Sequence, residues 1–184
     1  MTARRMLRII EDTRQQISRA QWFPKEVKGQ WIWNVEIVES TMPTGDYSLE
    51  GWTGYKGEPM GISIEWKKSL DEIAGNMRNH TLRTDEEVHV IEERKRFKAS
   101  LERMKHFERK LLVICEPLES FGDPRVCRNQ WDRNSFVANL HRIEEGGVAV
   151  KFFQNERTAA VRVLAAIRRF AESKRKLEAK EGDE

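Results

Sequence analysis

The chain has 184 residues, which is long enough for one well-packed domain. With 39% hydrophobic and 34% charged residues, its composition is that of a globular protein and excludes a largely disordered one. Its 33 basic and 30 acidic residues leave a net charge of +3, so the overall charge indicates a polyanionic partner only weakly and local clusters must decide.

The sequence gives no sign of membrane insertion or export. No apolar stretch approaches the roughly 20 residues that span a bilayer, and the first residues do not lead into the apolar segment of a signal peptide. Cys115 lies in the apolar run LLVIC, where a buried free thiol is expected, and a total of 2 cysteines is too few for a disulfide framework. We therefore expect a cytoplasmic protein without a membrane partner.

The first part of the chain is predicted to be rich in strands. A short apolar run at residues 6–10 ends in charged residues, which predicts a buried strand with Asp12 at its carboxyl end. In residues 31–39, apolar side chains alternate with Asn34 and Glu36, which predicts a strand with one buried face.

A hairpin is predicted next. Residues 47–49 and 61–67 flank a loop that is rich in glycine and contains Pro59, as is typical of a connection between two strands. The two flanks should therefore pair antiparallel.

After Lys67, helical and strand patterns alternate. The run SLDE at residues 69–72 has the form of a capping box and predicts a helix over residues 70–77. Apolar residues at helical spacing predict an amphipathic helix over residues 87–108. The continuous apolar run at residues 111–115 predicts a strand that is covered on both faces and lies near the centre of the sheet.

The last part of the chain predicts a helix, a strand and a helix. Ser135 is a candidate N-cap for a helix that stops at two consecutive glycines, a strand follows at residues 148–153, and a second helix covers residues 156–177. The order of elements predicts an α/β fold with a central mixed β-sheet flanked by α-helices. We expect one domain at residues 1–171 and a charged C-terminal tail at residues 172–184.

Two carboxylates and a lysine are predicted to meet at the hairpin. Glu65 and Lys67 are two apart on a strand, so alternation places both on one face and the apolar neighbours on the other. If the hairpin pairs as predicted, Asp46 comes beside Glu65. Carboxylate oxygens are the ligands that Mg²⁺ prefers, and a bound metal ion activates water and polarises a phosphate. A surface hairpin with ordinary exposed charges remains the alternative.

At these residues the sequence resembles a known family. GDY at residues 45–47, IEWK at residues 64–67 and Asp71 resemble the GD…ERKxxxD signature of the XPF-family structure-specific endonucleases. IIEDTRQ at residues 9–15 is similar to the family's D-x-R-E element, and LLVICE at residues 111–116 is similar to its apolar strand that ends in an acid. The likeness spans about residues 7–170 in the same motif order.

The resemblance implies a restriction-endonuclease-like core of the PD-(D/E)xK superfamily and a role for each motif residue. It makes Asp46, Glu65 and the backbone carbonyl of Trp66 the metal ligands, with Mg²⁺ as the cofactor and Mn²⁺ as a substitute. It makes Lys67 the catalytic lysine. The supporting residues around the metal and the scissile phosphate would be Asp12, Arg14 and Asp71, although Asp71 also fits an ordinary helix start.

The sequence departs from the family pattern in three places. Trp66 stands where the family has an arginine, Gln15 stands where it has a glutamate, and the loop between Asp46 and Glu65 is longer. Because Trp66 should point away from Glu65 by alternation, it can fill the core without removing a metal ligand, but the contribution of the arginine is missing.

The expected function is a metal-dependent DNA endonuclease that hydrolyses phosphodiester bonds at branched or junction DNA in recombination, repair or replication. A catalytically inactive DNA-binding or dimerisation subunit on the same nuclease fold is the alternative. The retention of Asp46, Glu65 and Lys67 favours the enzyme, since a degenerate site is free to lose any of them. The small size favours a phage or bacterial member that acts in the host cytoplasm or nucleoid.

The hairpin loop, the last helix and a basic cluster each allow two interpretations. The hairpin loop offers Trp52, Tyr55 and Lys56, which either stack on unpaired bases or simply fold the loop. An apolar stripe in the last helix either pairs two copies into a homodimer or covers the sheet, and it comprises Ala160, Leu164, Ile167 and Phe170. A basic cluster either contacts phosphates or forms a solvated face, and it comprises Arg94, Lys95, Arg96, Lys98, Arg103, Lys105, Arg109 and Lys110. No glycine-rich phosphate motif precedes a helix, so no nucleotide cofactor is expected.

Overall fold

The computed structural model describes residues 4–14, 18–28, 32–77, 86–123 and 131–181. A seven-stranded sheet runs through these residues in the order β2-β3-β1-β4-β5-β6-β7. Its strands are β1 (Arg4–Asp12), β2 (Glu26–Lys28), β3 (Ile32–Ser40), β4 (Tyr47–Leu49), β5 (Ile62–Lys67), β6 (Arg109–Ile114) and β7 (Ala149–Phe152). Because β1 and β3 are parallel, as are β5, β6 and β7, while β4 is antiparallel to both its neighbours, the predicted mixed sheet is confirmed.

In the described part of the chain, four α-helices cover the two faces of the sheet. They are α1 (Leu70–Met77), α2 (Glu86–Met104), α3 (Arg133–Glu145) and α4 (Glu156–Glu181). In β6, Leu112 and Ile114 pack in the cluster that contains α1, α2 and α3, whereas Val113 packs in the cluster that contains α4. The predicted double coverage of this strand is therefore confirmed, although β6 lies next to the last strand and not at the centre of the sheet.

The apolar stripe of α4 serves the core of its own chain. Ala160, Leu164 and Ile167 are each 0% exposed and Phe170 is 3% exposed, all within the cluster on one face of the sheet. The interpretation that this stripe covers the sheet is confirmed for these four side chains. A homodimer formed through the C-terminal helices stays a prediction and requires a different face of α4.

Three predicted boundaries were wrong. The N-cap of α3 is Asp132, whose carboxylate accepts a hydrogen bond from the Ser135 amide at 2.8 Å, so Ser135 lies in the first turn. Helix α2 ends at Met104, and a turn that contains the buried Phe107 follows before β6 begins. Helix α4 continues to Glu181, four residues beyond the predicted end at residue 177. The division into domain and tail stays a prediction.

The hairpin loop is anchored by Trp52. Its ring packs edge-to-face on Phe170 at 5.5 Å, and the Lys174 ammonium lies 4.9 Å from its centroid. Trp52 therefore joins the loop to α4, which favours the folding role for this aromatic residue.

Gln15 lies outside the described residues. Within the described part of the chain, no helix combines the length and the apolarity that a membrane crossing requires.

Candidate active site

Three strand ends meet at one edge of the sheet. Because β1 and β5 both pair antiparallel with β4, they run parallel to each other, and their carboxyl ends lie beside the start of β4. Asp12 ends β1, Asp46 precedes β4, and Glu65 lies near the end of β5. This arrangement confirms the predicted hairpin pairing that brings Asp46 beside Glu65.

Asp46 is fixed through both its backbone and its side chain. Its amide donates to the Ile64 carbonyl at 2.7 Å, and its carbonyl accepts from the Asp12 amide at 3.0 Å. Its Oδ2 accepts a hydrogen bond from the Trp66 amide at 2.6 Å. The backbone thus holds one carboxylate oxygen of Asp46 against the end of β5.

Gly45 makes this close approach possible. Its φ is +80°, in the left-handed region, and a Cβ at this position would collide with the Ser63 side chain and lie 3.1 Å from the Ile64 carbonyl oxygen. A glycine before Asp46 is therefore required by the pairing of the two strands.

Glu65 and Lys67 share one face of β5, as alternation predicted. The Lys67 ammonium lies 3.1 Å from Glu65 Oε1 and 3.3 Å from Glu72 Oε1. The other oxygen of Glu65, Oε2, accepts a hydrogen bond from the Ser100 hydroxyl of α2 at 2.9 Å. Ser100 in turn shares a hydrogen bond with the buried Thr44 hydroxyl at 2.7 Å. The Glu65 carboxylate is therefore oriented from two sides.

Asp12 and Arg14 form a pair next to these residues. Asp12 is 4% exposed, and its carboxylate accepts a hydrogen bond from Arg14 Nε at 3.0 Å. The Arg14 guanidinium also donates to the Met42 carbonyl at 2.5 Å. Both residues line the same cleft as Asp46 and Glu65, so the structure brings this pair to the predicted site.

The structure separates two neighbouring acids of α1. Glu72 lines the cleft and contacts Lys67, whereas Asp71, which the family resemblance selected, is not among the lining residues. Ser69 caps the helix by accepting a hydrogen bond from the Glu72 amide at 3.2 Å, and Glu72 Oε2 accepts from the Lys68 amide at 2.8 Å. The cap therefore orients Glu72 toward Lys67.

The buried charges influence one another strongly. Burial of the Asp46 carboxyl, together with the neighbouring charge of Glu65, raises the pKa of Asp46 to about 7. Burial opposes the charged form of Lys67, but Glu65, Glu72 and Asp46 outweigh this effect and raise the pKa of Lys67 to about 12. The lysine is therefore a permanent cation. A further positive charge beside Asp46 would stabilise the ionised form of its carboxylate.

The donor atoms fit a hard divalent cation. Asp46 and Glu65 offer carboxylate oxygens, and the carbonyl of Trp66 points to the same side of β5 as its amide, which faces Asp46. The pKa of Asp46 is raised by burial and by Glu65 even though Lys67 and Arg19 act to lower it, so a further cation beside Asp46 would stabilise its ionised form. No group of three or more His, Cys, Asp or Glu side chains suited to a metal occurs in the described residues, so a site here would depend on two carboxylates and a carbonyl.

Trp66 points into the core, as predicted. Its side chain is 1% exposed and packs edge-to-face on Tyr47 at 5.7 Å and tilted against Phe23 at 6.3 Å. Its indole nitrogen is buried without a hydrogen-bond partner among the described residues. The substitution of the family's arginine therefore adds an aromatic ring to the core on the face opposite Glu65.

The cleft that contains these residues has a volume of about 540 Å³. Its acidic residues are bordered by basic side chains from α2 and from the segments that follow β1 and β5, namely Arg14, Arg19, Lys68, Arg96 and Arg103. Such a mixture suits a polyanionic ligand.

Sequence reasoning missed Glu72, Ser100 and Thr44. Ser100 carries a weak signal, because it lies on the same helical face as the buried Phe97 and Met104. A polar residue on that face needs a buried partner, and Glu65 supplies it. Glu72 was recognised only as part of the capping box.

The fold and the cleft define an α/β domain of the restriction-endonuclease-like class. No protein-family model matches the sequence, and neither does any curated protein. Among solved structures, XPF from Aeropyrum pernix is similar, with a TM-score of 0.53 and 14% identity over 88% of this chain and 60% of that chain.

A second XPF structure from Aeropyrum pernix, in complex with DNA, matches with a TM-score of 0.53 and 17% identity, covering 92% of this chain and 66% of that one. This chain therefore spans 60% and 66% of the two chains it matches. At these identities the likeness establishes the fold alone, and the chain has an XPF-like nuclease fold, as the motifs predicted.

Proposed function

We propose that this chain is a Mg²⁺-dependent endonuclease that hydrolyses phosphodiester bonds in branched or junction DNA. The observation that carries the proposal is the convergence of Asp46, Glu65 and Lys67 in one cleft. DNA as the substrate class is supported by the similar fold of an XPF in complex with DNA. The branched or junction form rests on the motif resemblance.

Each residue of the cleft has a task in this proposal. Asp46, Glu65 and the Trp66 carbonyl would hold Mg²⁺, which when bound activates water and polarises the phosphate. The Lys67 ammonium stabilises the negative charge that develops on the phosphate oxygens during attack. Glu72 gives Lys67 a second anionic partner, and Ser100 orients Glu65.

The second candidate is a catalytically inactive DNA-binding or dimerisation subunit. It is favoured by Trp66, because the side chain at this position lies in the core and supplies no cation to the cleft. The two candidates differ in turnover and not in DNA binding.

A cleavage assay on flap, fork, four-way junction, single-stranded and linear duplex DNA tests the proposal, with Mg²⁺, with Mn²⁺ and with a chelator. We expect metal-dependent cleavage of the branched DNAs and its loss in Glu65→Gln and Asp46→Asn, which keep the shape of each side chain. Glu92→Gln, at an exposed position of α2, is the matched control. Absent cleavage with DNA binding intact would support the inactive subunit instead, and metal-independent cleavage would contradict the proposed metal site.

Two further variants compare Glu72, which the geometry of the cleft selects, with Asp71, which the family resemblance selects. Glu72→Gln should slow cleavage by about 10- to 100-fold, because Lys67 loses a charged partner. Asp71→Asn should have a smaller effect, since Asp71 does not line the cleft. The reverse order of effects would favour the role that the resemblance implies for Asp71.

A further inference from the structure

The structure separates the basic residues of α2, and Lys105 directly after it, into distinct groups. Lys95 forms an ion pair with Glu92 at 3.1 Å, and Lys105 forms one with Glu102 at 2.7 Å. Arg94 is 8% exposed, and its Nε donates to the Gly75 carbonyl at 3.3 Å. These three residues serve the helix surface and the contact with α1.

Arg96 and Arg103 are different because both line the cleft that holds Asp46 and Glu65. Both side chains are exposed, and neither forms an ion pair with a described residue. Ser100, which binds Glu65, lies between them on the same face of α2. The two guanidinium groups therefore border the acidic residues on the α2 side.

The spacing of the two arginines matches a nucleic acid backbone. Seven residues of helix separate them, which is about 10 Å along the axis of α2. One strand of B-DNA carries a phosphate about every 3.4 Å along its axis, so Arg96 and Arg103 can reach different phosphates of one strand. Arginine also suits phosphate because its guanidinium can donate two parallel hydrogen bonds.

We propose that Arg96 and Arg103 form a phosphate-binding edge on α2 that holds the DNA strand whose scissile phosphodiester lies at Asp46 and Glu65. This inference rests on the proposed function, because it takes DNA as the ligand of the cleft. Lys68 and Arg14 line the same cleft from the loops after β5 and β1 and extend the positive border.

The test compares two double variants that lose the same charge. Arg96→Gln/Arg103→Gln removes the proposed edge, and Lys95→Gln/Lys105→Gln removes two cations that lie outside the cleft lining and are paired with glutamates. Binding of a fluorescein-labelled fork DNA is measured by anisotropy across a salt series, with a chelator present so that no cleavage occurs. Thermal unfolding verifies that both variants are folded.

We expect the salt dependence of DNA binding to be weaker in the edge variant. The negative slope of the logarithm of the association constant against the logarithm of the salt concentration should be smaller in magnitude by about 1.8, since each lost phosphate contact removes about 0.9. The control variant should keep the wild-type slope. With Mg²⁺, the edge variant should raise KM for the fork and leave kcat close to normal, because a contact of this kind holds ground state and transition state alike.

Equal slopes in the two variants would overturn the inference, as would a wild-type protein that does not bind the fork or that binds an RNA of the same sequence more tightly. If the wild-type protein binds DNA but cleaves none of the DNA panel, the proposed activity fails while the slope comparison still decides the phosphate edge. The two failures are therefore distinguishable.

Discussion

Asp46 combines a buried position with a neighbouring carboxylate, and this determines how the site responds to pH. With a pKa of about 7, Asp46 is largely protonated below that pH when no metal is bound. Metal binding requires the ionised form, so a proton must leave. Apparent Mg²⁺ or Mn²⁺ affinity should therefore rise about tenfold per pH unit up to about pH 7 and level off above it.

Calorimetry from about pH 5.5 to about pH 8.5, in buffers of different ionisation enthalpy, measures both this affinity and the protons released. An affinity that does not change across this range would contradict the assigned role of Asp46.

The indole of Trp66 should matter for stability more than for chemistry. Trp66→Ala removes a fully buried side chain and should lower the free energy of unfolding by about 3–5 kcal/mol. The folded fraction should cleave DNA at a nearly normal rate, because the Trp66 amide still donates to Asp46. The urea midpoint and the cleavage rate are measured on the same sample. A stable but inactive variant would show that the side chain at position 66 serves the cleft.

The Ser100 hydroxyl is expected to position Glu65. Ser100→Ala leaves Glu65 Oε2 and the Thr44 hydroxyl without this partner, so metal affinity or cleavage should fall by about 10- to 100-fold. Ser173→Ala, which removes a hydroxyl of α4 that donates to the backbone carbonyl of Phe170, is the control. If Ser100→Ala changes only the melting temperature, Ser100 is structural and does not position Glu65.

At the scale of single residues, strand alternation and hairpin chemistry predicted the positions of Asp46, Glu65, Lys67 and Trp66. These predictions needed only contacts within one hairpin. Ser100 escaped prediction because it meets Glu65 across 35 residues of sequence, through the packing of α2 on the sheet. Periodicity shows which face of a helix is buried and does not show which residue that face meets.

The C-terminal end of α4 is tied to the sheet by side chains beyond Ala171. Glu172 accepts a hydrogen bond from the Trp33 indole at 3.2 Å, and Lys174 lies over the Trp52 ring. Ending the chain after Ala171 should therefore cost about 2 kcal/mol of stability, from a hydrogen bond to a charged group and a cation–π contact. Urea unfolding measures this cost.

A chain that ends after Lys176 is the matched control for this truncation, because it keeps both contacts. Equal midpoints for the two truncations would show that residues 172–184 behave as the independent tail that the sequence predicted.

At the scale of elements, the strands and helices that carry strong apolar patterns were predicted, and their ends were less certain. Leu70–Met77 was predicted to the residue because its cap lies in adjacent sequence. The start of α3 was misplaced because both Asp132 and Ser135 are good caps and only the hydrogen bond distinguishes them. Strand β2 is three residues long, with Val27 between two exposed side chains, and it gave no periodic signal.

The whole molecule is built on one continuous sheet whose two faces carry separate apolar clusters. Because β6 contributes Val113 to one cluster and Leu112 and Ile114 to the other, unfolding of one face should expose the other. Urea unfolding should therefore show one transition, with coincident midpoints for tryptophan fluorescence and far-UV circular dichroism. Two separated transitions would mean that the clusters unfold independently.

The position of β4 in the sheet determines the stage of synthesis at which the cleft can assemble. In the described sheet, this three-residue strand alone joins the block that contains β1 to the block that contains β5. The partner of Glu65 on α2 is synthesised 35 residues after Glu65 itself. A chain that is still leaving the ribosome therefore carries its acidic residues before it has an assembled cleft. Glu65 is therefore oriented from both sides only after α2 has docked on the finished hairpin.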